Sequence, residues 1–186
     1  MIVSVLSPKG GCGKSTSALT LASVFSNNPD LSIAIVDADP RQSIARVWHN
    51  KRKEEGLGEP PFTVISDPSD NSILDTLEDA AEVHDLIFVD LEGVAGLMAS
   101  YAASASDLCI IPMRPSALDG DAAGAALKMI RDAGRAARRT VPARILITRT
   151  EVPNVSHLPK ALMQKPAGTA NRSRTHNEPP NEADER

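Results

Sequence analysis

A chain of 186 residues with 20 Lys+Arg against 24 Asp+Glu carries a formal charge of −4 and has room for one domain of ordinary size, not two. With 41% hydrophobic and 24% charged residues it is a core-forming globular sequence, and only 3% aromatics make that core aliphatic and alanine-rich. No run reaches the roughly 20 apolar residues of a membrane span, and Met1 leads straight into an apolar run without a basic leader. Cys12 and Cys109 are too few for a disulfide scaffold or a four-cysteine metal site. These features predict a cytoplasmic protein with free thiols.

In chain order, residues 2–6 (IVSVL) read as a first strand, short, β-branched and nearly continuously apolar, as strands covered on both faces are. A helix is expected over 14–26, a strand over 32–37 and a helix over roughly 41–54. After the turn-rich GLGEPP come a short strand at 62–66, a helix at 72–83 and the strand 85–90 (DLIFVD). A helix at 94–105, a strand at 108–111, an amphipathic helix at 121–139 and a strand at 143–148 complete the alternation. Strands alternating with helices imply an α/β fold, a mostly parallel sheet with right-handed crossovers and helices on both faces. No internal repeat is found. From Gln164 onward the only apolar residues are alanines, so 164–186 reads as a disordered polar tail on a folded domain of residues 1–163.

The informative segment is Ser7-Pro8-Lys9-Gly10-Gly11-Cys12-Gly13-Lys14-Ser15-Thr16, between the first strand and the first helix. Glycines at 10, 11 and 13 let successive backbone N–H groups curl around an anion, and the helix aims its positive dipole end at the same point. Lys14 adds a full charge for terminal phosphates, and the Ser15 hydroxyl is placed to bind Mg²⁺. This is a triphosphate cradle of the three-layer P-loop NTPase fold. The strict pattern G-x-x-x-x-G-K-[ST] is not met, because Pro8 stands where its first glycine should be.

Lys9-Gly10-Gly11-Cys12-Gly13-Lys14-Ser15-Thr16 instead resembles the deviant Walker A motif, K-G-G-x-G-K-[ST]-[ST], of the ParA/MinD family of ATPases. The resemblance implies that Gly10, Gly11, Cys12, Gly13, Lys14, Ser15 and Thr16 bind ATP. It also implies that Lys9 reaches across a nucleotide-sandwich homodimer to the partner's phosphates. An unpaired buried ammonium is costly, so Lys9 is expected to face solvent in a monomer. Asp37-Ala38-Asp39-Pro40 resembles the family's D-x-D-P; by similarity Asp39 positions the attacking water and Asp37 supports the Mg²⁺ shell. Read alone, the same four residues are also a turn with a helix cap. Arg41 intervenes before Gln42, where relatives have glutamine directly. Ile87-Phe88-Val89-Asp90 is similar to a Walker B strand, whose Asp90 would accept from Mg²⁺-bound water. Leu91-Glu92-Gly93 resembles the sequence at this point in plasmid ParA-like and conjugation relaxosome accessory ATPases, with Glu92 either an outer carboxylate or a turn residue. Thr148-Arg149-Thr150 falls where the family begins to contact the base. Cys12, among the N–H groups of a helix start, either is a reactive thiol or simply fills a variable position, while Cys109 is packing.

On the helix at 121–139, Ala123, Ala126, Leu127, Ile130, Gly134 and Ala137 share one face, and Lys128, Arg131, Arg135 and Arg138 share another with Arg139 adjacent. The basic residues either complement the helix dipole or bind DNA phosphate nonspecifically, as ParA-like dimers do. With one Trp, one Tyr and three Phe, base stacking is not a credible mode. Two cysteines exclude the iron–sulfur branches, a lone Tyr101 excludes a tyrosine-rich kinase tail, and the tail from Gln164 offers no apolar face to a membrane. The expected protein is therefore a ParA-like ATPase acting in plasmid or chromosome partition or in conjugal DNA processing. It would dimerise on ATP-Mg²⁺, bind DNA nonspecifically, associate with the nucleoid and respond to a partner protein that stimulates hydrolysis. Two other readings stay open: a small-molecule ATP-dependent ligase or kinase, and a non-catalytic remnant. The second arises because 153–162 starts like a further helix before the composition collapses.

Overall fold

Each nearly continuous apolar run forms a strand, and each run with helical spacing forms the crossover after it. The computed structural model describes residues 1–149 except Gln42, Asp67 and Ala95, and at positions 43, 45 and 46 the backbone alone. The expected tail at 164–186, the domain limit at 163, the helix-like start at 153–162 and Thr150 lie outside the described residues.

The strands are β1 (Ile2–Val5), β2 (Ile33–Ala38), β3 (Thr63–Ser66), β4 (Leu86–Leu91), β5 (Leu108–Met113) and β6 (Ala143–Ile147). They form one sheet in the order β3-β2-β4-β1-β5-β6 with every pair parallel. The helices are α1 (Lys14–Phe25), α2 (His49–Glu54), α3 (Ile73–Val83), α4 (Leu97–Ala105) and α5 (Ala117–Ala136). Right-handed crossovers put α1 and α2 on one face of the sheet and α3, α4 and α5 on the other, where α4 packs between its two neighbours. β2 and β4 are buried along their whole length, as their unbroken apolar runs require. Under α1, the small residues Ala18 and Ala22 let the helix lie close over Val3, Val5, Ile33, Ile35 and Phe88.

This topology positions the site. β1 and β4 are neighbours, yet the chain leaves β1 for α1 on one face and β4 for α4 on the other. Diverging loops open a crevice at the carboxyl ends of the two strands, where α/β sheets bind ligands.

Two elements differ from their expected bounds. The helix over 41–54 is in part a π-helical segment, Ser43–Trp48, before α2 begins. The helix expected at 121–139 starts at Ala117, because the Ser116 hydroxyl accepts from the Asp119 N–H at 3.2 Å and caps it. It stops at Ala136 because Arg138 turns left-handed at φ 55° and the Arg139 N–H returns to the Gly134 carbonyl at 2.9 Å. A glycine usually fills that left-handed position; here an arginine does.

This helix end yields two substitutions of opposite sign. A Cβ at Gly134 would lie 2.8 Å from the Arg139 carbonyl oxygen, so Gly134→Ala is expected to destabilise by about 1–2 kcal/mol despite alanine's better helix propensity. Arg138→Gly, relieving the left-handed arginine, is expected to stabilise by up to about 1 kcal/mol. Urea titration of both variants checks the signs.

Candidate functional site

The loop from β1 to α1 is shaped by left-handed glycines, Gly11 at φ 70° and Gly13 at φ 99°. At Gly13 a Cβ would meet the Thr148 methyl at an ordinary 3.5 Å, so the backbone angle and not crowding demands glycine there. The amino end of α1 has no side-chain cap and no acidic residue in its first turn. Its N–H groups and dipole are thus left for an external anion. They border a cleft of about 690 Å³ that Gly10, Gly11, Gly13, Lys14, Ser15 and Thr16 line on one side. Asp39, Arg41, Glu92 and Arg149 line it elsewhere.

Sheet register brings the acidic residues together. β2 and β4 are adjacent with Asp37 opposite Asp90, and both side chains are fully buried. Asp37 is engaged by the loop it precedes: its carboxylate accepts from the Asp39 N–H at 3.3 Å and the Ile44 N–H at 2.9 Å. Asp39 in turn accepts from the Arg41 N–H at 2.9 Å. The turn-and-cap reading and the carboxylate-site reading of D-x-D-P therefore coexist in one loop.

Asp90 is the exception. Neither of its carboxylate oxygens has a hydrogen-bond partner among the described residues. Burial pushes its pKa up to about 6, with Asp37 and Asp39 adding to the rise and the nearby Ser15 hydroxyl and the Lys14 ammonium opposing it. A buried carboxylate without donors is costly, and native proteins rarely keep one unless it receives a proton, a water or a metal. Its oxygens beside the Ser15 hydroxyl are the hard donors Mg²⁺ prefers, so the residues present fit that ion.

Lys9 corrects the expectation of a solvent-facing ammonium. Its Nζ donates to the Asp119 carboxylate, and its side chain is only 33% exposed. The reason is local: Asp119, in the first turn of α5, is 1% exposed and gathers donors, accepting also from the Arg114 N–H and guanidinium and from the Ser116 hydroxyl. The Arg114 guanidinium, then Lys9, hold its carboxyl well below the usual carboxylate range. Lys14 lies within 3.4 Å of the Lys9 carbonyl. Cys12 is fully buried and its thiol donates to that same carbonyl at 3.2 Å, so it fills the variable position and is not an accessible nucleophile. Cys109 is buried in β5, where burial pushes its pKa up to about 12.

Two participants, Asp119 and Asp70, carried no signal strong enough to be singled out from sequence, and Thr148 takes a contact that its sequence position did not show. Asp119 sits in Ser116-Ala117-Leu118-Asp119, a pattern of the helix-start type that could have flagged it. Asp70 lines the cleft and accepts from the Met98 N–H at 3.0 Å, pinning the first turn of α4. Thr148 donates to the Cys12 carbonyl at 2.7 Å and so fastens the end of β6 to the cradle, while Arg149 borders the cleft. Lys128, Arg131, Arg135 and Arg138 are exposed on or just past α5. Arg135 lies 3.7 Å from Asp132. Arg139 turns back to the Ser106 carbonyl at 3.0 Å and to Asp107 at 3.6 Å, which ties it to the fold.

A parallel sheet with a glycine loop and a Lys-Ser-Thr helix start at the end of an inner strand defines a P-loop nucleotide-binding α/β protein. The chain belongs to the VirC1 protein family, which it matches over residues 1–163. It is 36% identical over 149 residues to Protein ParA of Rhizobium radiobacter, an alignment covering 79% of this chain and 64% of that protein's length. Among solved structures it is similar to a plasmid partition protein from Borrelia burgdorferi, with TM-score 0.68 and 23% identity over 87% of this chain and 82% of the other. A Borrelia burgdorferi partition protein bound to AMPPNP is similar at TM-score 0.63 and 23% identity, covering 87% and 78%. At these identities the structural likeness establishes the fold, that of ParA/MinD-type ATPases.

The state of Asp90 gives a pH prediction. With its folded pKa raised from 3.8 to about 6, the carboxyl contributes most to stability when protonated, and that contribution is lost as pH rises through about 6. Asp90→Asn is therefore expected to stabilise the nucleotide-free protein at pH 8 by roughly 2–3 kcal/mol. A Mg²⁺ ion held by Asp90 would conversely make nucleotide affinity fall as pH is lowered through about 6, by up to about tenfold per pH unit, as protons compete for the carboxylate. Thermal melts and calorimetric titrations across pH 5–8 check both signs.

Proposed function

We propose that this chain is an ATPase that serves DNA partition or conjugal DNA processing, and that its cleft binds ATP-Mg²⁺ through residues 9–16. The observation that carries the proposal is an open, uncapped α1 amino end whose Ser15 hydroxyl and Lys14 ammonium lie near the buried Asp90 carboxylate, which makes no hydrogen bond of normal geometry among the described residues. In this reading the amides of Gly10, Gly11, Cys12 and Gly13, with those of Lys14, Ser15 and Thr16, hold the phosphates, and Lys14 neutralises their outer charge. Ser15 and Asp90 would hold Mg²⁺ with Asp37 behind them, and the ion supplies charge neutralisation on the phosphate oxygens. The Borrelia relative bound to AMPPNP supports nucleotide as the ligand.

Asp39 is the water-positioning carboxylate. Its Oδ1 is oriented by the Arg41 N–H, and the residue lines the cleft. A water held there attacks the terminal phosphorus, the bond to the bridging oxygen breaks, and ADP and phosphate leave.

Lys9 is the link to a homodimer. Its ammonium is held by Asp119, so reaching a partner's phosphates means exchanging one anion for another and not moving from water to an anion. That exchange lowers the desolvation cost of dimerising, because Lys9 is already two-thirds covered. In the dimer, Lys128, Arg131, Arg135 and Arg138 would supply a nonspecific DNA-phosphate surface. A net charge of −4 does not oppose this, since charges more than about 8 Å apart are largely screened at physiological salt. If each subunit neutralises about three phosphates, affinity falls with salt at a log–log slope of about −2.7 for a monomer and −5.4 for a dimer, so nucleotide gates DNA binding. A partner protein that hastens hydrolysis would reset the cycle on the nucleoid. No described helix is long and apolar enough to cross a membrane.

Size-exclusion chromatography with light scattering, with and without ATP-Mg²⁺, tests the reading on wild type and Lys9→Ala. The expected result is a nucleotide-dependent dimer for wild type and a monomer for Lys9→Ala at equal nucleotide occupancy. A dimer indifferent to both nucleotide and Lys9 would reject the sandwich.

A further inference from the structure

Arg41 and Glu92 stand on the loops that follow β2 and β4, adjacent strands whose ends are in register at Ala38 and Leu91. Both line the cleft, on the side that Asp39 also lines. The guanidinium approaches the Glu92 carboxylate at 3.8 Å, with side chains 80% and 55% exposed. An open pair of this kind contributes almost nothing to folding and is given up readily for a better anion. The base of the arginine, by contrast, is fixed, because its backbone N–H is bound to Asp39 Oδ1 at 2.9 Å. The result is a long cation anchored beside the Asp39 carboxylate and loosely paired where it lines the cleft.

We propose that Arg41 binds the terminal phosphate of the nucleotide held in its own subunit, leaving Glu92 to do so, and thereby distinguishes a triphosphate from a diphosphate. The proposal rests on the cradle reading above. The amides of the glycine loop and α1 can hold phosphates common to both nucleotides, whereas a group tethered to Asp39 lies at the end where attack occurs. A guanidinium presents paired N–H donors that match phosphate oxygens, which a carboxylate 3.8 Å away uses poorly. Glu92 is then a competitor: with a diphosphate bound it keeps Arg41, and with a triphosphate it loses it. Arg41 directly follows Asp37-Ala38-Asp39-Pro40 and brings a charge to that point of the cleft.

The test is calorimetric titration of AMPPNP and of ADP, each with Mg²⁺, into the full chain as wild type, Arg41→Ala, Arg41→Lys and Glu92→Gln. Arg41→Ala is expected to weaken AMPPNP about tenfold or more while ADP changes less than about twofold. Arg41→Lys should fall between, since a point charge replaces a fork, and Glu92→Gln should tighten AMPPNP by removing the competitor. Equal losses for both nucleotides, no loss for either, or a Glu92→Gln variant that weakens AMPPNP as Arg41→Ala does would each overturn the assignment. Wild type that binds neither nucleotide would overturn the cradle reading, and this assignment with it. Both side chains are exposed, so unchanged melting temperatures of the variants separate these outcomes from unfolding.

Discussion

A buried carboxylate that makes no hydrogen bond of normal geometry among the described residues, placed at the carboxyl end of a strand beside the Ser15 hydroxyl and an uncapped helix start, is the constraint around which this molecule is arranged. Each half is unfavourable alone: Asp90 is desolvated, and the first amides of α1 lack acceptors. In the proposed reading, one ligand would satisfy both, a polyanion and the cation that accompanies it. The glycines at 11 and 13 serve that arrangement by taking left-handed angles, and β2–β4 register serves it by bringing Asp37 alongside Asp90. Asp37 is occupied by backbone N–H groups of its own loop, which leaves Asp90 as the carboxylate in need of a partner.

A second theme is competition among anions for fixed cations. Lys9 is held by Asp119, which also holds Arg114, and Arg41 is held loosely by Glu92. The two pairs differ in burial and so in cost of exchange. Asp119 is enclosed and multiply bonded, so releasing Lys9 still leaves it Arg114 and Ser116; the Arg41 pair is open to water and weak. In the proposed reading, a phosphate would replace Glu92 at Arg41 within its own subunit and Asp119 at Lys9 across the dimer.

Much of this was legible in the sequence because it is written locally. Nearly continuous apolar runs at 2–6, 32–37 and 85–90 read as covered strands and lie within a residue of the strands observed, and the order of strand, glycine loop and Lys-Ser-Thr helix pointed to the cleft. What could not be read depends on distant residues. That Lys9 meets Asp119 is a contact across 110 positions, set by the neighbouring of β1 and β5. Asp70 reaching the start of α4, and Thr148 fastening onto Cys12, are of the same kind. The α5 boundaries were missed for a local reason: Ser116 and Asp119 form a cap four residues before the amphipathic pattern becomes visible, and Arg138 takes a left-handed turn that side chains seldom adopt. Of the basic residues, Lys128, Arg131 and Arg135 lie on α5, Arg138 falls past its end, and Arg139 bends back to the carbonyl of Ser106.

The most direct measurement is a crystal structure grown with AMPPNP and Mg²⁺. The account predicts phosphates against the amides of residues 10–16, with the metal between the Ser15 hydroxyl and the Asp90 carboxylate. A nucleotide lodged elsewhere with that loop vacant, or a metal bound away from Asp90, would contradict it.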